Sequence, residues 1–332
     1  MKYLYVLTSS HGDNYYEQFL LSVTSLKFVM PDTEVILLCD RATAATLTGL
    51  RCEYKKNVSD TIIADAPSGM TQTQVSRWLK TSMRRFVAGD FLFIDCDTVI
   101  TGDLSSASFA GIKFAACLDK HLLFNRHDKK NKIIDRDKKL KFSSYKSNRH
   151  FNSGVIYCAD IPETHKIFER WHELWLLSNS KKIIMDQNAF NMAIYENPEI
   201  ITELDGTWNC QISFNGLPYL NEAKIIHYFA SYSYLQSSPF TLGTNTILLK
   251  IKETGKISDD IIELLKKPKA MFEKETRIVA GAEMLDVLNS SLFNSFLWLR
   301  KNKPTVYKIL NGMASAFTGI FKRTIKNKGN GL

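Results

Sequence analysis

Apolar residues in the first hundred positions fall into two rhythms that take turns along the chain. Short unbroken runs recur at Tyr3-Leu-Tyr-Val-Leu7, Glu34-Val-Ile-Leu-Leu-Cys-Asp40, Thr61-Ile-Ile-Ala64 and Phe91-Leu-Phe-Ile94. Runs without polar alternation read as strands covered on both faces, as in a parallel sheet. Between them the spacing becomes helical. Phe19, Leu20, Val23, Leu26 and Val29 form one stripe, which Pro31-Asp32 breaks, residues 42–50 form a short helix, and Val75, Trp78, Leu79 and Phe86 form a third stripe over 72–87. Strand, helix, strand, helix, strand predicts an α/β sheet with parallel strands. Further on, Ile112–Leu118 and Lys224–Phe229 read as strands, and Asp160–Leu177 as a helix with Pro162 in its first turn.

The fourth run continues directly into Asp95-Cys-Asp97-Thr-Val-Ile100. Ligands of open α/β sheets bind beyond the carboxyl ends of the strands, which is where these two carboxylates leave the core. Two acids one residue apart repel unless a cation lies between them or one is protonated. Hard oxygen ligands suit Mg²⁺ or Mn²⁺, typically with substrate phosphates completing the shell. The local reading is a metal-diphosphate site; the alternative is that the pair only caps a strand.

Charge sharpens that reading. The 332 residues carry a net charge of +9, which suggests an anionic partner such as a nucleotide, a nucleic acid or an acidic membrane surface. No nucleic-acid-binding signature accompanies it, so no nucleic-acid partner is expected. Neither Gly-x-Gly-x-x-Gly nor Gly-x-x-x-x-Gly-Lys-Ser/Thr occurs, so backbone cradling of phosphate is not the device. A metal on Asp95 and Asp97 would supply it, aided by Arg77 and Lys80, which lie one turn apart on the preceding helix and are candidate diphosphate contacts. Their other reading is an exposed basic face. The six cysteines are scattered with no Cys-x-x-Cys, which argues against a zinc knuckle and for a reducing compartment. No apolar run approaches the ~20 residues of a membrane span, so the expected location is cytoplasmic, with peripheral membrane contact open.

Residues 119–150 change character, with eleven Lys/Arg against four Asp. Little apolar periodicity is evident there, and the segment reads as a mobile basic loop or insertion: a solvated surface, or a lid beside the metal site. It returns into Phe151-Asn152-Ser153-Gly154-Val155, a turn entering a strand, where Gly154 permits close backbone approach. Met185-Asp186-Gln187-Asn188 opens a helix, its polar residues facing a cleft or Asp186 serving only as N-cap. Trp208-Asn209 follows an acidic turn. His227 ends an apolar strand; alone it would be structural, but beside Asp95 and Asp97 it becomes a candidate third metal ligand.

Together and in this order, Phe93-Ile-Asp95-Cys-Asp97-Thr, Phe151-Asn-Ser-Gly-Val, Met185-Asp-Gln-Asn, Trp208-Asn and Ile226-His227-Tyr resemble GT-A fold glycosyltransferases, particularly the retaining family 8 and its bacterial relatives. The resemblance covers roughly residues 1–230. It implies a mixed α/β sheet flanked by helices and transfer of a hexose from a nucleotide-sugar, a UDP-sugar in the first instance, with Mn²⁺ or Mg²⁺. By the same resemblance, Asp95 contacts donor ribose and metal, and Asp97 and His227 complete the metal site. Asn152, Ser153 and Gly154 line the donor-sugar pocket, Asp186 and Gln187 flank the reacting sugar, and Thr8 touches the nucleobase. It also implies a glycan or lipid-linked acceptor in bacterial surface polysaccharide assembly. The sequence departs from the family where a Gly and a Lys often follow the histidine; here Tyr-Phe-Ala-Ser follows, which moves the cationic grip elsewhere.

The expected organisation is a catalytic domain over 1–250 and a helical extension over 251–332. Asp286–Leu299 is rich in Leu and Phe. Residues 304–321 place Val306, Ile309, Leu310, Met313, Phe317, Ile320 and Phe321 at helical spacing, followed by Lys322, Arg323, Lys326 and Lys328. Such a helix either lies on an anionic membrane or packs on the catalytic domain. The rival enzyme class is a haloacid-dehalogenase-type Mg²⁺ phosphatase, which also ends a strand on Asp-x-Asp and for which Ser258-Asp259-Asp260 would be the late acidic pair.

Overall fold

A computed structural model of the chain describes residues 1–228, 242, 244–269, 286–288 and 290–315. The chain divides into two compact units, Met1–Met271 and Phe272–Leu332.

The first unit begins as the apolar rhythm predicts. Strand β1 (Lys2–Leu7), helix α1 (Tyr15–Val29), β2 (Val35–Asp40), α2 (Arg41–Thr46), β3 (Asp60–Ala64), α3 (Gln72–Ser82) and β4 (Phe91–Ile94) follow in order. The strands stand side by side as β3-β2-β1-β4, all parallel. Their runs have no polar alternation because both faces are covered. Tyr5 packs edge-on against Phe19 of α1 on one face, at 5.3 Å between centroids, while Leu4 joins Val75 and Leu79 of α3 on the other. Helix α3 starts at a reciprocal capping box between Thr71 and Gln74, a device whose loss costs about 1 kcal/mol.

Beyond β4 the sheet turns mixed. Strands β6 (Phe114–Leu118), β7 (Phe151–Cys158) and β8 (Ile201–Leu204) extend it in the order β4-β7-β6-β8. Strand β7 runs antiparallel to β4 and to β6. Helices α5 (Pro162–Ser180) and α6 (Gln187–Tyr195) cover this half and bury Trp171 and Trp175 completely. Both indoles find acceptors, Trp171 Nε1 on the Asp186 carbonyl at 3.3 Å and Trp175 Nε1 on the Ile184 carbonyl at 3.0 Å. Buried indoles need such partners, and these two pin the turn that carries Asp186.

A second sheet forms where β5 (Thr98–Ile100) leaves β4. It pairs antiparallel with β10 (Ile225–His227), and β9 (Cys210–Gln211) pairs parallel on the far side.

The basic segment 119–150 is not the mobile loop its charge suggested. It folds around helix α4 (Lys130–Leu140) and buries Ile133, Leu140 and Phe142. Asp137 accepts hydrogen bonds from Ser144 Oγ at 2.5 Å and from Asn188 Nδ2 at 2.7 Å, tying the insertion to α6. The many lysines hid three apolar positions that suffice to hold one amphipathic helix.

Two further helices, α7 (Asn245–Thr254) and α8 (Asp259–Lys266), belong to this first unit. The domain limit expected at 250 falls inside α7, whose Ile247, Leu248 and Ile251 are buried, as are Ile261 and Leu265 of α8. The second unit contains α9 (Ser291–Asn302) and a helical stretch over 304–315. Leu292, Leu297, Trp298, Val306, Ile309 and Met313 are exposed on them. The remaining tail positions expected to continue this pattern, Phe317, Ile320, Phe321, Lys322, Arg323, Lys326 and Lys328, lie outside the described residues. No described helix is long and apolar enough to cross a membrane.

Candidate active site

The antiparallel pairing of β4 with β7 brings the two central motifs together. Ile94 is the register partner of Val155, and the Asp95 amide donates to the Gly154 carbonyl at 2.8 Å. Asp95 therefore sits beside Asn152, Ser153 and Gly154, although they are 57 or more positions apart in sequence. The chain then bends away into β5, where Thr98 is the register partner of His227. That pairing places Asp97 Oδ1 3.0 Å from His227 Nε2. Asp95, Asp97 and His227 each offer a ligand atom within 4.8 Å of the others.

Three features of this donor set fit a divalent cation. The histidine accepts metal only through a ring nitrogen that carries a lone pair, and its Nδ1 is engaged with Asn209 Oδ1 at 2.8 Å. A carbonyl oxygen only accepts, so Nδ1 carries a hydrogen. In the neutral ring the lone pair is then on Nε2 and faces the Asp97 carboxylate, an arrangement a cation between them resolves; in the charged ring Nε2–H pairs with Asp97 Oδ1 directly. Finally, the cradle has no room for a side chain at position 154. A Cβ there would come within 2.5 Å of His227 Cε1 and 2.9 Å of Asp95 Oδ2, closer than real contacts allow. Two carboxylates with one imidazole can hold a divalent cation; the carboxylates suit Mg²⁺ or Mn²⁺, and the imidazole favours Mn²⁺ of the two.

Cations from α3 complete the electrostatics. Lys80 is buried over the Phe93 ring at 5.0 Å, and its ammonium bonds both Asp95 oxygens at 3.0 and 3.2 Å. Arg77 Nε pairs with Asp186 Oδ1 at 3.2 Å. Burial pushes the Asp95 carboxyl above its ordinary range; Lys80 opposes that shift and the Asp97 charge adds to it. Asp186 goes the other way. Burial alone would raise it, but Arg77, Lys80 and the Ser153 hydroxyl at 3.1 Å hold it below the usual carboxylate value. Asp186 thus stays ionised while almost fully buried. It stands at the N-cap position of α6 yet makes no side-chain cap hydrogen bond; its carboxylate points to Arg77 and Ser153 instead. Three carboxylates against two cations leave the cluster one negative charge. A divalent ion would turn that into one positive charge, suited to a diphosphate.

Arg77 and Lys80 both face this cluster and are paired with its carboxylates, Arg77 with Asp186 and Lys80 with Asp95. Thr8 directly follows β1 and is buried, and its carbonyl accepts from Gln72 Nε2 at 3.2 Å. Gln187 opens α6 next to Asp186. Two residues of the site escaped the sequence reading. Asn209 stood in a quoted motif without a role, and Asp119 went unremarked although β6 ends on it as β4 ends on Asp95, an apolar run closing on an acid. The late acidic pair of the phosphatase alternative is absent from this site. Asp259 and Asp260 open α8, and Asp260 is exposed and paired with Lys250 at 2.6 Å; the phosphatase reading is not supported.

The family model described as Glycosyl transferase family 8 matches residues 50–232, which hold every candidate site residue except Thr8. A search of curated protein sequences returns no match. Among solved structures the chain is similar to the apo form of the bifunctional glycosyltransferase WbbM, with a TM-score of 0.50 and 15% identity over 81% of this chain and 51% of that one. It spans about half of that protein. It is also similar to an active-site mutant of LgtC, with a TM-score of 0.50 and 13% identity over 81% of this chain and 100% of that one. Apo mouse xyloside xylosyltransferase 1 matches at a TM-score of 0.46 and 15% identity, over 68% of this chain and 97% of that one. At such identities the likeness to WbbM and LgtC concerns the fold.

Proposed function

The chain belongs to glycosyl transferase family 8, and we propose that it moves a hexose from a UDP-sugar to a glycan or lipid-linked acceptor, with Mn²⁺ or Mg²⁺ held by Asp95, Asp97 and His227. The observation that carries this reading is the convergence of those three ligands beside Asn152–Gly154 and the ionised, buried Asp186. A divalent ion bound there would stabilise negative charge on the departing diphosphate.

The chain's own residues account for the rest. Arg77 and Lys80 keep the buried Asp186 ionised, oppose the upward shift of Asp95 and add positive charge on the leaving-group side. Gly154 lets the donor approach the backbone. Asp186, with Gln187, lies against the reacting sugar, where a fixed anion favours the positive charge that develops at the anomeric carbon of a retaining enzyme. Thr8, at the end of β1, meets the nucleobase. Surface polysaccharide assembly in the bacterial cytoplasm is the setting that the family's bacterial members suggest.

The exposed apolar positions of α9 and 304–315 lie among Arg300, Lys301, Lys303 and Lys308, and no acid follows Asp286. Basic helices of this kind settle on anionic bilayers, so we assign this unit to peripheral membrane contact.

The deciding experiment is thermal unfolding with a panel of nucleotides and nucleotide-sugars, with and without Mn²⁺. Ligand at a hundredfold excess over its dissociation constant stabilises the folded state by about 2.7 kcal/mol. A Tm increase with UDP or a UDP-sugar that requires Mn²⁺ is expected. Indifference to every nucleotide under every metal would remove the donor assignment.

A further inference from the structure

Asn152 and Asn209 are both almost fully buried, and each uses both ends of its amide inside the protein. The direction of every bond can be read from groups whose chemistry is fixed. The Gly154 backbone N–H can only donate, and it donates to Asn152 Oδ1 at 2.9 Å. That makes the other end of Asn152 the NH₂ group, which donates to Asp119 Oδ1 at 2.9 Å. Asn209 Nδ2 donates to the same Asn152 oxygen at 3.0 Å, so Asn209 presents its oxygen to His227 Nδ1 at 2.8 Å.

The far end is anchored equally firmly. The Lys129 backbone N–H donates to His127 Nδ1 at 3.1 Å, which leaves Nε2–H of that ring to donate to Asp119 Oδ2 at 2.8 Å. Asp119 is buried, which alone would raise its pKa, yet the His127 hydrogen bond, the nearby His150 ring and the Asn152 amide hold it down to about 2. It is a carboxylate that accepts from both sides. Its backbone is fixed in turn by Gln211, whose side-chain amide donates to the Leu118 carbonyl at 2.8 Å and accepts from the Lys120 amide at 2.8 Å. Lys120 and His121 both adopt left-handed backbone angles at this turn, φ of 57° each, a conformation that persists only where surroundings enforce it.

We propose that Asp119, Asn152 and Asn209 form a buried relay that fixes His227 in its Nδ1–H tautomer and so aims the Nε2 lone pair at the divalent cation. In this assignment Asn152 and Asn209 are positioning residues that act through His227, and Asn152's side chain is committed to the relay and not to the donor sugar. Groups that hydrogen-bond the other nitrogen of a metal-bound histidine do this elsewhere: they set tautomer and ring orientation, and removing one costs roughly 10–100-fold in metal affinity. The inference rests on the metal-site reading above, but its primary readout needs no metal and no turnover.

The test uses the full chain labelled with ¹⁵N at histidine. Long-range ¹H–¹⁵N correlation spectra of the metal-free protein, near pH 8, report which nitrogen of His227 carries hydrogen. The wild-type protein should show the Nδ1–H form. Asn209→Leu, close in volume but unable to accept, should shift His227 toward the Nε2–H form and weaken Mn²⁺ binding, followed by water-proton relaxation, roughly 10–100-fold. Asn209→Asp keeps an acceptor facing Nδ1 and should restore the Nδ1–H tautomer. An Nε2–H ring in the wild-type protein would overturn the relay outright, whether or not the variants fold. So would a folded Asn209→Leu protein with an unchanged tautomer and Mn²⁺ affinity within twofold of wild type. If the wild-type protein shows the expected tautomer but binds no Mn²⁺, the metal reading fails while the relay's control of the ring stands.

Discussion

Asp97 and His227 face each other at 3.0 Å because their neighbours are stitched together, Thr98 being the register partner of His227 across the antiparallel pair β5–β10. The contact is therefore set by backbone pairing as much as by side-chain attraction. Removing either side chain should leave the pairing, and with it the fold, in place. Asp97→Ala should keep the wild-type circular dichroism spectrum and lose the Mn²⁺-dependent part of the stabilisation by UDP, about 2.7 kcal/mol at a hundredfold ligand excess in the wild-type protein. A variant that still gains this increment would show that Asp97 is not a ligand.

Gly154 is the tightest point of the site. A methyl group there meets the His227 ring, Asn152 Oδ1 and Asp95 Oδ2 at once, and none of the three can retreat without breaking a hydrogen bond. Gly154→Ala should cost about 1–3 kcal/mol in urea unfolding and abolish Mn²⁺ binding. Metal affinity equal to wild type would mean that the cradle is looser than its geometry indicates.

Lys80 carries the buried positive charge next to Asp95. Lys80→Met leaves that partly exposed carboxylate without its strongest neighbour, which should cost about 2 kcal/mol, below the ~3–5 kcal/mol of breaking a fully buried pair. Burial already raises the Asp95 pKa, and the substitution raises it further. A raised folded-state value favours the protonated native protein, so the variant's deficit should shrink as pH falls toward the ordinary carboxylate range, grow as pH rises through the folded pKa and stay constant above it. Mn²⁺ should also recover part of the loss by supplying positive charge at the same oxygens. A deficit indifferent to both pH and Mn²⁺ would place the destabilisation in packing alone.

Two buried histidines away from the metal ligands make a separate pH prediction. Burial, the largest influence on each, lowers His150 and His172 to about 4, against 6.5 in the unfolded chain. Their depressed values mean that the unfolded chain takes up protons first. Stability should be complete above pH 6.5 and fall as pH drops toward 4, by about 2 kcal/mol per histidine at pH 5. His172 lies between Trp78 and Trp175, at 6.0 and 6.2 Å between centroids. His172→Phe should therefore flatten part of the slope when urea midpoints are compared at pH 7 and 5. Equal slopes in variant and wild type would exclude its contribution.

For the second unit, sedimentation with vesicles separates the two readings of the C-terminal helices. Binding to phosphatidylglycerol-containing vesicles, loss of binding at high salt, and a blue shift of Trp298 emission are the expected results. Equal behaviour toward zwitterionic and anionic vesicles would argue against an electrostatic membrane contact.

The sequence made the first half of the fold readable because β1 to β4 are continuous apolar runs and α1 and α3 carry clean helical stripes, a direct consequence of two-sided burial. The Asp95/Asp97 pair could be placed at a strand end for the same reason. Three things were hidden. Helix α4 was masked by its lysines, since its inward-facing residues along eleven positions are two apolar ones, Ile133 and Leu140, and the acidic Asp137. The orientation of β7 is set by long-range pairing, which no local pattern encodes, and it is this pairing that brings Gly154 to Asp95. Asn209 and Asp119 act through hydrogen bonds to residues 57 and 33 positions from their own, both through Asn152, and polar partners at such range leave no periodic trace. The pairing of Lys80 with Asp95 and of Arg77 with Asp186 likewise needed the sheet to bring α3 over β4.

Helices α7 and α8 lie beyond residue 232, where the family match ends, yet α7 is woven into the start of the chain. Lys252 Nζ donates to the Asp13 carbonyl at 2.7 Å and to Asn14 Oδ1 at 3.3 Å, at the mouth of α1. Gly255 closes α7 against the Leu50 carbonyl, where a Cβ would come within 2.6 Å. A recombinant fragment that kept the start of the chain but stopped at residue 232 would uncover the apolar side of α1 and loosen the loop that follows β1, the one expected to meet the nucleobase. The smallest soluble piece worth expressing for crystallisation or kinetics therefore runs through α8, to about residue 271, and fragments that stop sooner should aggregate.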